Sequence, residues 1–304
     1  MHKGDSRYTS GMDASTFIDE NTLFILDSYG LIYREYFAFI SRPLTNSEGQ
    51  NISAVFGFFR NLSAILRKYA PHYMVAAFDS RTPTFRHELY ADYKATRQKT
   101  PEDLKAQFPV IEALLGVLGI PVVRCDGFEA DDVVATLTAR CEQEGRHCCV
   151  LSADKDLMQL VSDNVHILKP DRAEIWKELD RDGVTAEWSV PPSQLLDLLS
   201  LTGDSADNVP GVKGVGPKTA VKLLEEYGTL ESIYEHAASI KGALGEKLRA
   251  NKDNAFFSKQ LITLRYDVPC LQDIAAFTTS GLQYKALSDE MTTRGLPAIA
   301  RSEE

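Results

Sequence analysis

Residues 22–27 read TLFILD, a short apolar run that ends in an acid. Runs of the same form follow at 73–79 (YMVAAFD), at 148–154 (CCVLSAD) and, more weakly, at 120–126 (IPVVRCD). Short apolar runs of this kind are typical of buried parallel strands. Helical patterns lie between them, at 52–69, 102–118 and 129–143. Because strands alternate with helices, the sequence predicts an α/β domain over 22–183, with a mostly parallel sheet flanked by helices.

Strand signals fade from about residue 184 onward. Helical patterns take over, at 193–202, 217–227, 229–237 and 243–262. These patterns predict a smaller helical domain over 184–290, followed by a tail over 291–304. Residues 1–21 are polar and contain Gly and Ser, so we expect a disordered leader or an artificial extension there.

The composition of the 304-residue chain, 44% hydrophobic and 25% charged, is that of an ordinary globular protein. No apolar run approaches the roughly 20 residues that span a bilayer, so no membrane partner is expected. The five cysteines include no CxxC pair, which favours reduced thiols over a disulfide framework or a zinc site. A formal charge of −10 at first disfavours a nucleic-acid partner, but acids gathered in one cleft would leave basic surfaces elsewhere.

Acids follow three of the predicted strands: Asp27, Asp79 and Asp154. In an open parallel sheet, the site lies beyond the carboxyl ends of the strands. Six further acids are closely spaced: Glu129, Asp131 and Asp132 in FEADD, Asp156 in DKD, and Asp204 and Asp207 three residues apart. Solvation or helix capping explains each acid alone but explains the set poorly. Oxygen ligands without histidine or cysteine favour Mg²⁺ or Mn²⁺, and more carboxylates than one ion uses predict two metals, as in phosphodiester hydrolysis.

A locally basic segment, residues 81–105, carries six Lys/Arg against four Asp/Glu. Within it Lys94 and Arg97 are three residues apart, with Tyr93 beside them. Lysine and arginine would hold phosphates, and the aromatic ring could stack on an unpaired base. Arg34, just after the first strand, is a further candidate for substrate contact. The alternatives are a solvated charged helix and, for Arg34, an ordinary surface residue.

Residues 203–216 read GDSADNVPGVKGVG, which nearly matches a phosphate-binding P-loop. Pro217 replaces the lysine of that motif and no strand precedes it, so the P-loop interpretation is poor. A helix, a tight turn and a helix from Pro217 fit better. Its glycines would let the backbone approach a phosphate, and nearby lysines add charge; these residues are Gly211, Gly214, Gly216, Lys213, Lys218 and Lys222. Such a hairpin would grip a duplex backbone without reading bases; the alternative is an ordinary helical hairpin.

Five stretches in this order resemble the 5′-nuclease domains of bacterial DNA polymerase I, in the flap endonuclease family. They are FILDSYGLIYR, FDSRTPTFRHELYADYKATR, GFEADD, LSADKDLMQLVSD and LTGDSADNVPGVKGVGPKTA. The resemblance covers about residues 22–290. It implies a PIN-like or resolvase-like sheet, a helical arch at about 81–108 and a helix–three-turn–helix element at 203–220.

The resemblance also implies roles for individual residues. One metal group would comprise Asp27, Asp79, Glu129 and Asp131, with Asp132 close by, and a second would comprise Asp154, Asp156, Asp204 and Asp207. Lys94 and Arg97 match a basic pair on the arch, and Arg34 matches a substrate-contacting position. Backbone carbonyls of the 211–216 turn would hold a monovalent cation such as K⁺ while the turn contacts duplex phosphates.

These features predict a Mg²⁺-dependent, structure-selective 5′ nuclease, both 5′-3′ exonuclease and flap endonuclease, acting in replication and repair. Its partners would be branched or 5′-flap DNA and RNA-primed DNA. The protein would act as a monomer in the bacterial cytosol. A stand-alone nuclease and a domain of a longer polymerase chain both remain open. The two rivals are a non-catalytic DNA-binding module, which the intact acid set disfavours, and a toxin-like ribonuclease, which the arch and hairpin disfavour.

Overall fold

A computed structural model describes residues 17–171, 175–269 and 271–297. Its centre is one six-stranded sheet with the order β3-β2-β1-β4-β5-β6. The strands are β1 (Leu23–Asp27), β2 (Tyr73–Ala77), β3 (Val122–Val123), β4 (Cys148–Leu151), β5 (Val165–Asp171) and β6 (Ile175–Leu179). Strands β1 to β5 are parallel, and β6 alone runs antiparallel, against β5. The predicted mostly parallel sheet is confirmed.

The predicted strands read as continuous apolar runs because both faces of the sheet are covered. In β1, Phe24 and Leu26 pack on one face and Leu23 and Ile25 on the other, all with no solvent exposure. Strands β5 and β6 were not predicted. Strand β5 (VHILKPD) mixes polar residues and a proline into its apolar residues, which suits a pair of strands at the edge of the sheet.

Helices of the α/β domain flank the sheet. They are α1 (Ser28–Ala38), α2 (Ser53–Tyr69), α3 (Phe85–Leu89), α4 (Glu102–Lys105), α5 (Phe108–Leu118), α6 (Ala130–Gln143) and α7 (Arg181–Trp188). Helices α1, α2 and α5 cover the face that carries Phe24, whereas α6 covers the opposite face. None of the helices in the described part of the chain has the length and apolarity that a membrane crossing requires.

The helical part that follows comprises α8 (Pro192–Thr202), α9 (Pro217–Tyr227), α10 (Leu230–Glu235), α11 (Gly242–Ala250), α12 (Lys252–Ile262) and α13 (Tyr284–Thr293). The single helix expected over 243–262 is two helices that meet at Asn251. The Asn251 amide donates to the Lys247 carbonyl at 2.8 Å and so closes α11; asparagine favours helix ends over helix interiors. Helix α13 packs on the sheet domain through Leu287 and Met291. Most of this helix lies within the range 184–290 expected for the helical domain, but its buried residues belong to the core of the α/β domain.

Two expectations need correction. Residues 1–16 lie outside the described residues, but Phe17 is buried and stacks on His166, with ring centroids 3.4 Å apart. The described residues therefore include part of the expected leader, because the Phe17 ring is more stable against His166 of β5 than in water.

The cysteines are the second correction. Cys141, Cys148 and Cys149 are free and buried, as expected. Cys125, however, is disulfide-bonded, and Cys270 lies outside the described residues. Disulfide formation depends on how close two Cβ atoms come in the fold, which the spacing of cysteines in a sequence does not show.

Candidate active site

The carboxylates that follow β1, β2 and β4 meet at one edge of the sheet because these three strands are neighbours in it. A cleft of about 930 Å³ opens at this edge. Its walls include four of the expected acids together with two basic side chains of the 81–105 segment: Asp27, Asp79, Asp131, Asp154, Lys94 and Arg97. The structure therefore places the strand-end acids and the basic pair in one site.

Asp27 ends β1 and caps the start of α1, where its carboxylate accepts the Gly30 N–H at 3.4 Å. The Ser152 hydroxyl donates to its other oxygen at 2.6 Å. Burial raises the pKa of Asp27 to about 7, and repulsion from Asp154 and Asp79 adds to the effect. A nearby positive charge would favour the ionised form of this carboxyl at neutral pH.

The start of α6 brings the next acids to the same edge. The Ala130 N–H donates to Asp79 at 2.8 Å, which ties this helix end to the loop after β2. Burial raises the pKa of Asp131 well above its usual range, and Asp154 and Asp27 raise it further. Glu129 behaves differently: burial alone would raise its pKa, but the charges of Lys94 and Arg86 outweigh burial and lower it.

A second acidic group lies beside the first. Asp156, Asp204 and Asp207 each offer a carboxylate oxygen within 4.8 Å of the others, close enough to share one ion. Burial raises the pKa of Asp156 to about 7, with Asp154 adding repulsion. Lys155, which was not among the predicted site residues, pairs with Asp204; its Nζ lies 2.8 Å from the Asp204 carboxylate. The four acids of the expected second metal group are thus neighbours in space.

Asp132 departs from the expected set. Its carboxylate receives both terminal nitrogens of Arg86, at 2.7 and 2.8 Å, and the Arg265 N–H at 2.9 Å. It also caps the Glu129 N–H at 3.1 Å and has no solvent exposure. Because its oxygens are already engaged by protein donors, we leave Asp132 out of the proposed metal ligands and regard it as a positioning residue.

The ion pair between Arg86 and Asp132 connects three segments of the chain. The Arg86 side chain is 2% exposed, and besides Asp132 it donates to the Leu261 carbonyl at 2.8 Å. It thus links the segment after β2, the start of α6 and the end of α12. Sequence reasoning missed it because a lone arginine in a charged segment gives no sign of burial.

The basic segment lies over the acids. Lys94 Nζ pairs with Glu129 at 2.7 Å, and Arg97 Nε donates to Asp207 at 2.7 Å. The Lys94 backbone N–H also donates to the Asp207 carbonyl at 3.0 Å. Within the expected arch over 81–108, only α3, α4 and the first residue of α5 are helical. Pro83 and Pro101 restrict the backbone there, and contacts with the acidic loops hold residues 90–100.

Tyr93 does not fit the role of a base-stacking platform. Its ring is 7% exposed, and its hydroxyl donates to Glu129 at 3.2 Å. The Lys94 ammonium lies 5.0 Å from the ring centroid, so the ring is covered by its neighbour. Stacking on an unpaired base requires an open ring face, and Tyr93 instead supports Lys94 and Glu129.

Aromatic residues of α1 line the cleft in its place. Tyr29, Tyr33 and Phe37 recur every fourth residue and therefore share one helix face; Phe37 is half exposed. This spacing was present in the sequence and was overlooked. Arg34, on the same helix, pairs with Glu35 at 3.2 Å and does not line the cleft. Its substrate-contacting role stays a prediction.

The turn between α8 and α9 is built on close backbone contact. Gly211 has φ of +61°, and a methyl group there would collide with the Gly203 backbone, so only glycine fits. Between these two glycines, Asp204 and Val209 form a β-bridge. The loop that carries Asp204 and Asp207 therefore ends at the turn itself, which connects the acidic site to the hairpin.

The lysines expected to hold duplex phosphates, Lys213, Lys218 and Lys222, are exposed. Gly216 caps the start of α9, with Pro217 as the first helical residue. Gly214 has φ of +82°, and its carbonyl accepts the Lys247 ammonium at 3.3 Å. Lys247 lies on α11 and was not among the predicted residues.

An acidic edge of a parallel sheet, basic side chains over it and an exposed glycine–lysine hairpin together define a nuclease-type α/β protein. A family model for the 5′-3′ exonuclease N-terminal resolvase-like domain matches residues 22–189. A second, for the 5′-3′ exonuclease C-terminal SAM fold, matches residues 190–285. The chain belongs to the 5′-3′ exonuclease family.

Two relatives illustrate the range of the family. The chain is 50% identical over 283 residues to a DNA polymerase I of Treponema pallidum, covering 93% of this chain and 28% of that protein. It is 40% identical over 247 residues to a 5′-3′ exonuclease of Aquifex aeolicus, covering 81% of this chain and 83% of that protein. The chain thus spans under a third of the polymerase relative and most of the exonuclease.

Solved structures give the fold. The structure of T5 5′-exonuclease with divalent zinc ions superposes with a TM-score of 0.67 at 21% identity, covering 90% of this chain and 98% of that one. A flap endonuclease-1 from Methanococcus jannaschii superposes with a TM-score of 0.59 at 16% identity, covering 93% of each chain. At these identities the likeness concerns the fold alone.

Proposed function

We propose that this chain is a Mg²⁺-dependent, structure-selective 5′ nuclease that hydrolyses phosphodiesters where a 5′ single strand meets a duplex. The observation that carries the proposal is the meeting of two carboxylate groups under a basic segment, joined by the 203–211 loop to a glycine–lysine hairpin. Cleavage chemistry and a backbone grip are thus connected by one short loop.

The carboxylates fit hard divalent cations. Asp27, Asp79, Glu129 and Asp131 would hold one ion, and Asp154, Asp156, Asp204 and Asp207 another; oxygen-only donors suit Mg²⁺, for which Mn²⁺ can substitute. Two such ions supply an activated water and neutralise charge on the departing oxygen. The raised pKa values of Asp27 and Asp156, each about 7, support this assignment because burial, and to a lesser degree repulsion between the acids, disfavours their ionised forms without cations.

The chain's own residues position the substrate. Lys94 and Arg97 pair with Glu129 and Asp207, and would exchange these partners for substrate phosphates once cations neutralise the acids. Tyr29 and Phe37 provide aromatic surface along the cleft for unstacked bases. The exposed lysines of the hairpin would hold the duplex at a fixed distance from the acids.

The substrates we infer are branched or 5′-flap DNA and RNA-primed DNA, processed by a monomer during replication and repair in the bacterial cytoplasm. The relatives named DNA polymerase I and 5′-3′ exonuclease support this assignment. Both a stand-alone enzyme and a domain of a longer polymerase are compatible with the proposal.

A cleavage assay on a 5′-flap duplex, with product sizing, tests the proposal. We expect cleavage near the junction in Mg²⁺, none in EDTA, and none from Asp79→Ala, which should still bind the duplex. The matched control is Asp253→Ala, an exposed acid at the start of α12, which should cleave normally. Binding without cleavage would indicate a DNA-binding module, and cleavage of single-stranded RNA alone would indicate a ribonuclease.

A further inference from the structure

Arg124, which directly follows β3, connects the loop after β2 to helix α5. Its Nε donates to the Asp79 carbonyl at 2.8 Å. Its two terminal nitrogens donate to the two carboxylate oxygens of Glu112, on α5, at 3.0 Å each. The Arg124 side chain is 15% exposed. Because the guanidinium is rigid and bonded at both ends, it has one orientation, unlike a mobile surface side chain.

The Asp79 carbonyl lies where the pairing between β2 and β3 stops. The paired residues end at Ala77 and Val123, and a last backbone hydrogen bond joins the Phe78 N–H to the Val123 carbonyl at 2.9 Å. Asp79 is the next residue, and its carbonyl accepts the Arg124 side chain instead. The side chain of Arg124 thus continues the support of this loop beyond the end of β3.

The Asp79 carboxylate depends on the position of this backbone. Its Oδ1 accepts the Ala130 N–H at 2.8 Å, and the residue lines the cleft beside Asp27 and Asp131. These neighbours come from β1 and α6, so a shift of the loop after β2 would move one acid relative to the others. Mg²⁺ requires near-octahedral geometry at about 2.0–2.1 Å, so a displaced carboxylate would bind the ion more weakly.

Glu112 sets the direction of the Arg124 side chain. The hydrogen bond from Arg124 lowers the pKa of Glu112, and the charge of Arg81 lowers it further, so the carboxylate stays ionised at neutral pH. The Arg124 guanidinium also lies over the Phe78 ring, 5.4 Å from its centroid. Contacts outside the cleft therefore orient Arg124 towards the Asp79 carbonyl.

We infer that Arg124, oriented by Glu112, is a positioning residue for Asp79 and raises the affinity of the first acidic group for its divalent cation. The inference rests on the proposed function, in which Asp79 is a Mg²⁺ ligand. Arg124 is not among the residues that line the cleft, so it acts through the Asp79 backbone and not on the substrate. Partners that orient metal ligands typically contribute tenfold or more to metal affinity or activity.

Two variants test the role of Arg124. Arg124→Met removes the guanidinium and should still fold, because Glu112 is partly exposed and keeps its pairing with Arg81 at 2.9 Å, so that no buried charge is stranded. Glu112→Gln keeps Arg124 but weakens its support, since the amide has one oxygen in place of two.

Arg146→Met is the matched control. The Arg146 side chain is 22% exposed, pairs with Glu144 at 2.9 Å and lies 4.9 Å from the Tyr73 ring centroid, much as Arg124 does with its own glutamate and ring. Arg146 precedes β4 and Tyr73 begins β2, so this cluster lies at the sheet edge opposite the acids. Its removal should lower stability without affecting the site.

Two measurements report on the site. One is the Mg²⁺ affinity of the DNA-free protein by calorimetry, and the other is the Mg²⁺ concentration for half-maximal single-turnover cleavage of a 5′-flap duplex. Arg124→Met should weaken Mg²⁺ binding by about tenfold in both, and Glu112→Gln should shift both in the same direction by a smaller factor. Arg146→Met should match the wild type. Duplex binding in EDTA should keep the wild-type salt dependence in all variants.

Three results would overturn the inference. An Arg124→Met variant that is less stable in urea but has wild-type Mg²⁺ affinity would make Arg124 a residue of the fold alone. An equal loss of Mg²⁺ affinity in Arg146→Met would assign the effect to general destabilisation. A shallower salt dependence of duplex binding in Arg124→Met, with wild-type Mg²⁺ affinity in Glu112→Gln, would make Arg124 a phosphate contact. A wild type that cleaves no flap, yet shows the expected differences in Mg²⁺ affinity, would count against the proposed nuclease and leave this inference standing.

Discussion

Replacing Asp27 by Asn should stabilise the metal-free protein while removing its activity. Asp27 is 6% exposed, and burial raises its pKa to about 7 from 3.8. An acid with a raised pKa in the folded state is easier to ionise after unfolding, so the free energy of unfolding falls as pH rises from about 4 to about 7. At pH 8 this difference amounts to at most ~4 kcal/mol, which the neutral amide would recover.

Asparagine suits the position in other respects. It is as good a helix N-cap as aspartate, and its oxygen can still accept the Gly30 N–H. Its NH₂ group can donate to the Ser152 oxygen, since a hydroxyl accepts as well as donates. The substitution therefore removes the charge, keeps the Gly30 cap and reverses the direction of the hydrogen bond with Ser152.

Urea unfolding in EDTA at pH 4.5 and pH 8 is the measurement. The stability gain of Asp27→Asn should be under ~1 kcal/mol at pH 4.5 and reach ~2–4 kcal/mol at pH 8. Adding Mg²⁺ at pH 8 should stabilise the variant less than the wild type, because only the second acidic group of the variant is intact. Flap cleavage should fall by roughly 10²–10³-fold or more. Asp253→Asn, an exposed acid, should shift stability by no more than ~0.5 kcal/mol.

Two results would refute this reasoning. Equal gains at both pH values would mean that packing, and not ionisation, sets the effect. A variant less stable than the wild type at pH 8 would mean that a protein cation already neutralises Asp27, and the metal-ligand assignment would lose its electrostatic support.

Arg86→Met should lower the free energy of unfolding by ~3–5 kcal/mol by stranding Asp132 in the interior. Adding Asp132→Leu should recover part of this loss, because it removes the stranded charge but leaves the Glu129 and Arg265 N–H groups without their acceptor; urea unfolding compares the variants. Lys94→Ala should slow single-turnover flap cleavage by on the order of 10²-fold with less than twofold change in duplex binding, and an unchanged rate removes Lys94 from the site. Lys213→Ala should reduce the slope of log affinity against log salt by about one, measured by anisotropy titration; an unaltered slope leaves it a surface residue. The affinity for Mg²⁺, measured by calorimetry, should drop as pH falls below about 7. Asp156 has a pKa of about 7, so protons then compete with the ion for its carboxylate. A Mg²⁺ affinity that does not change between pH 6 and pH 8 would contradict this.

Much of the architecture could be read from local patterns. Strands such as β1 are apolar up to the acid that ends them, because each residue is covered on one face or the other, and that signal needs no knowledge of neighbours. Strand β6, at the edge of the sheet, and its neighbour β5 escaped prediction; β5 is only partly covered and mixes polar residues into its apolar ones. Similarly, the turn at Gly211 was predicted correctly, since the glycines and Pro217 mark backbone conformations that other residues resist.

Whether a side chain is free to bind a ligand was harder to predict than the chemistry of its functional group. Asp131 and Asp132 are adjacent and chemically identical, yet only Asp131 faces the cleft, whereas Asp132 is held by Arg86. Tyr93 had the right chemistry for stacking and the wrong exposure. The contacts that decided these cases join residues far apart in the chain, 46 positions for Arg86 and Asp132, and no local pattern contains them.

By itself, then, the sequence determined which chemistry this protein carries: an oxygen-only acidic set, a basic segment and a glycine–lysine hairpin, on a mostly parallel sheet with a helical domain. Residue type and spacing are local properties, and they suffice for that. Only the tertiary structure decided which acids remain free for cations, that Tyr93 is buried and that Lys247 reaches the Gly214 carbonyl. Burial and charge pairing arise when distant segments pack together, and packing determines the free energy of ionising or solvating each group.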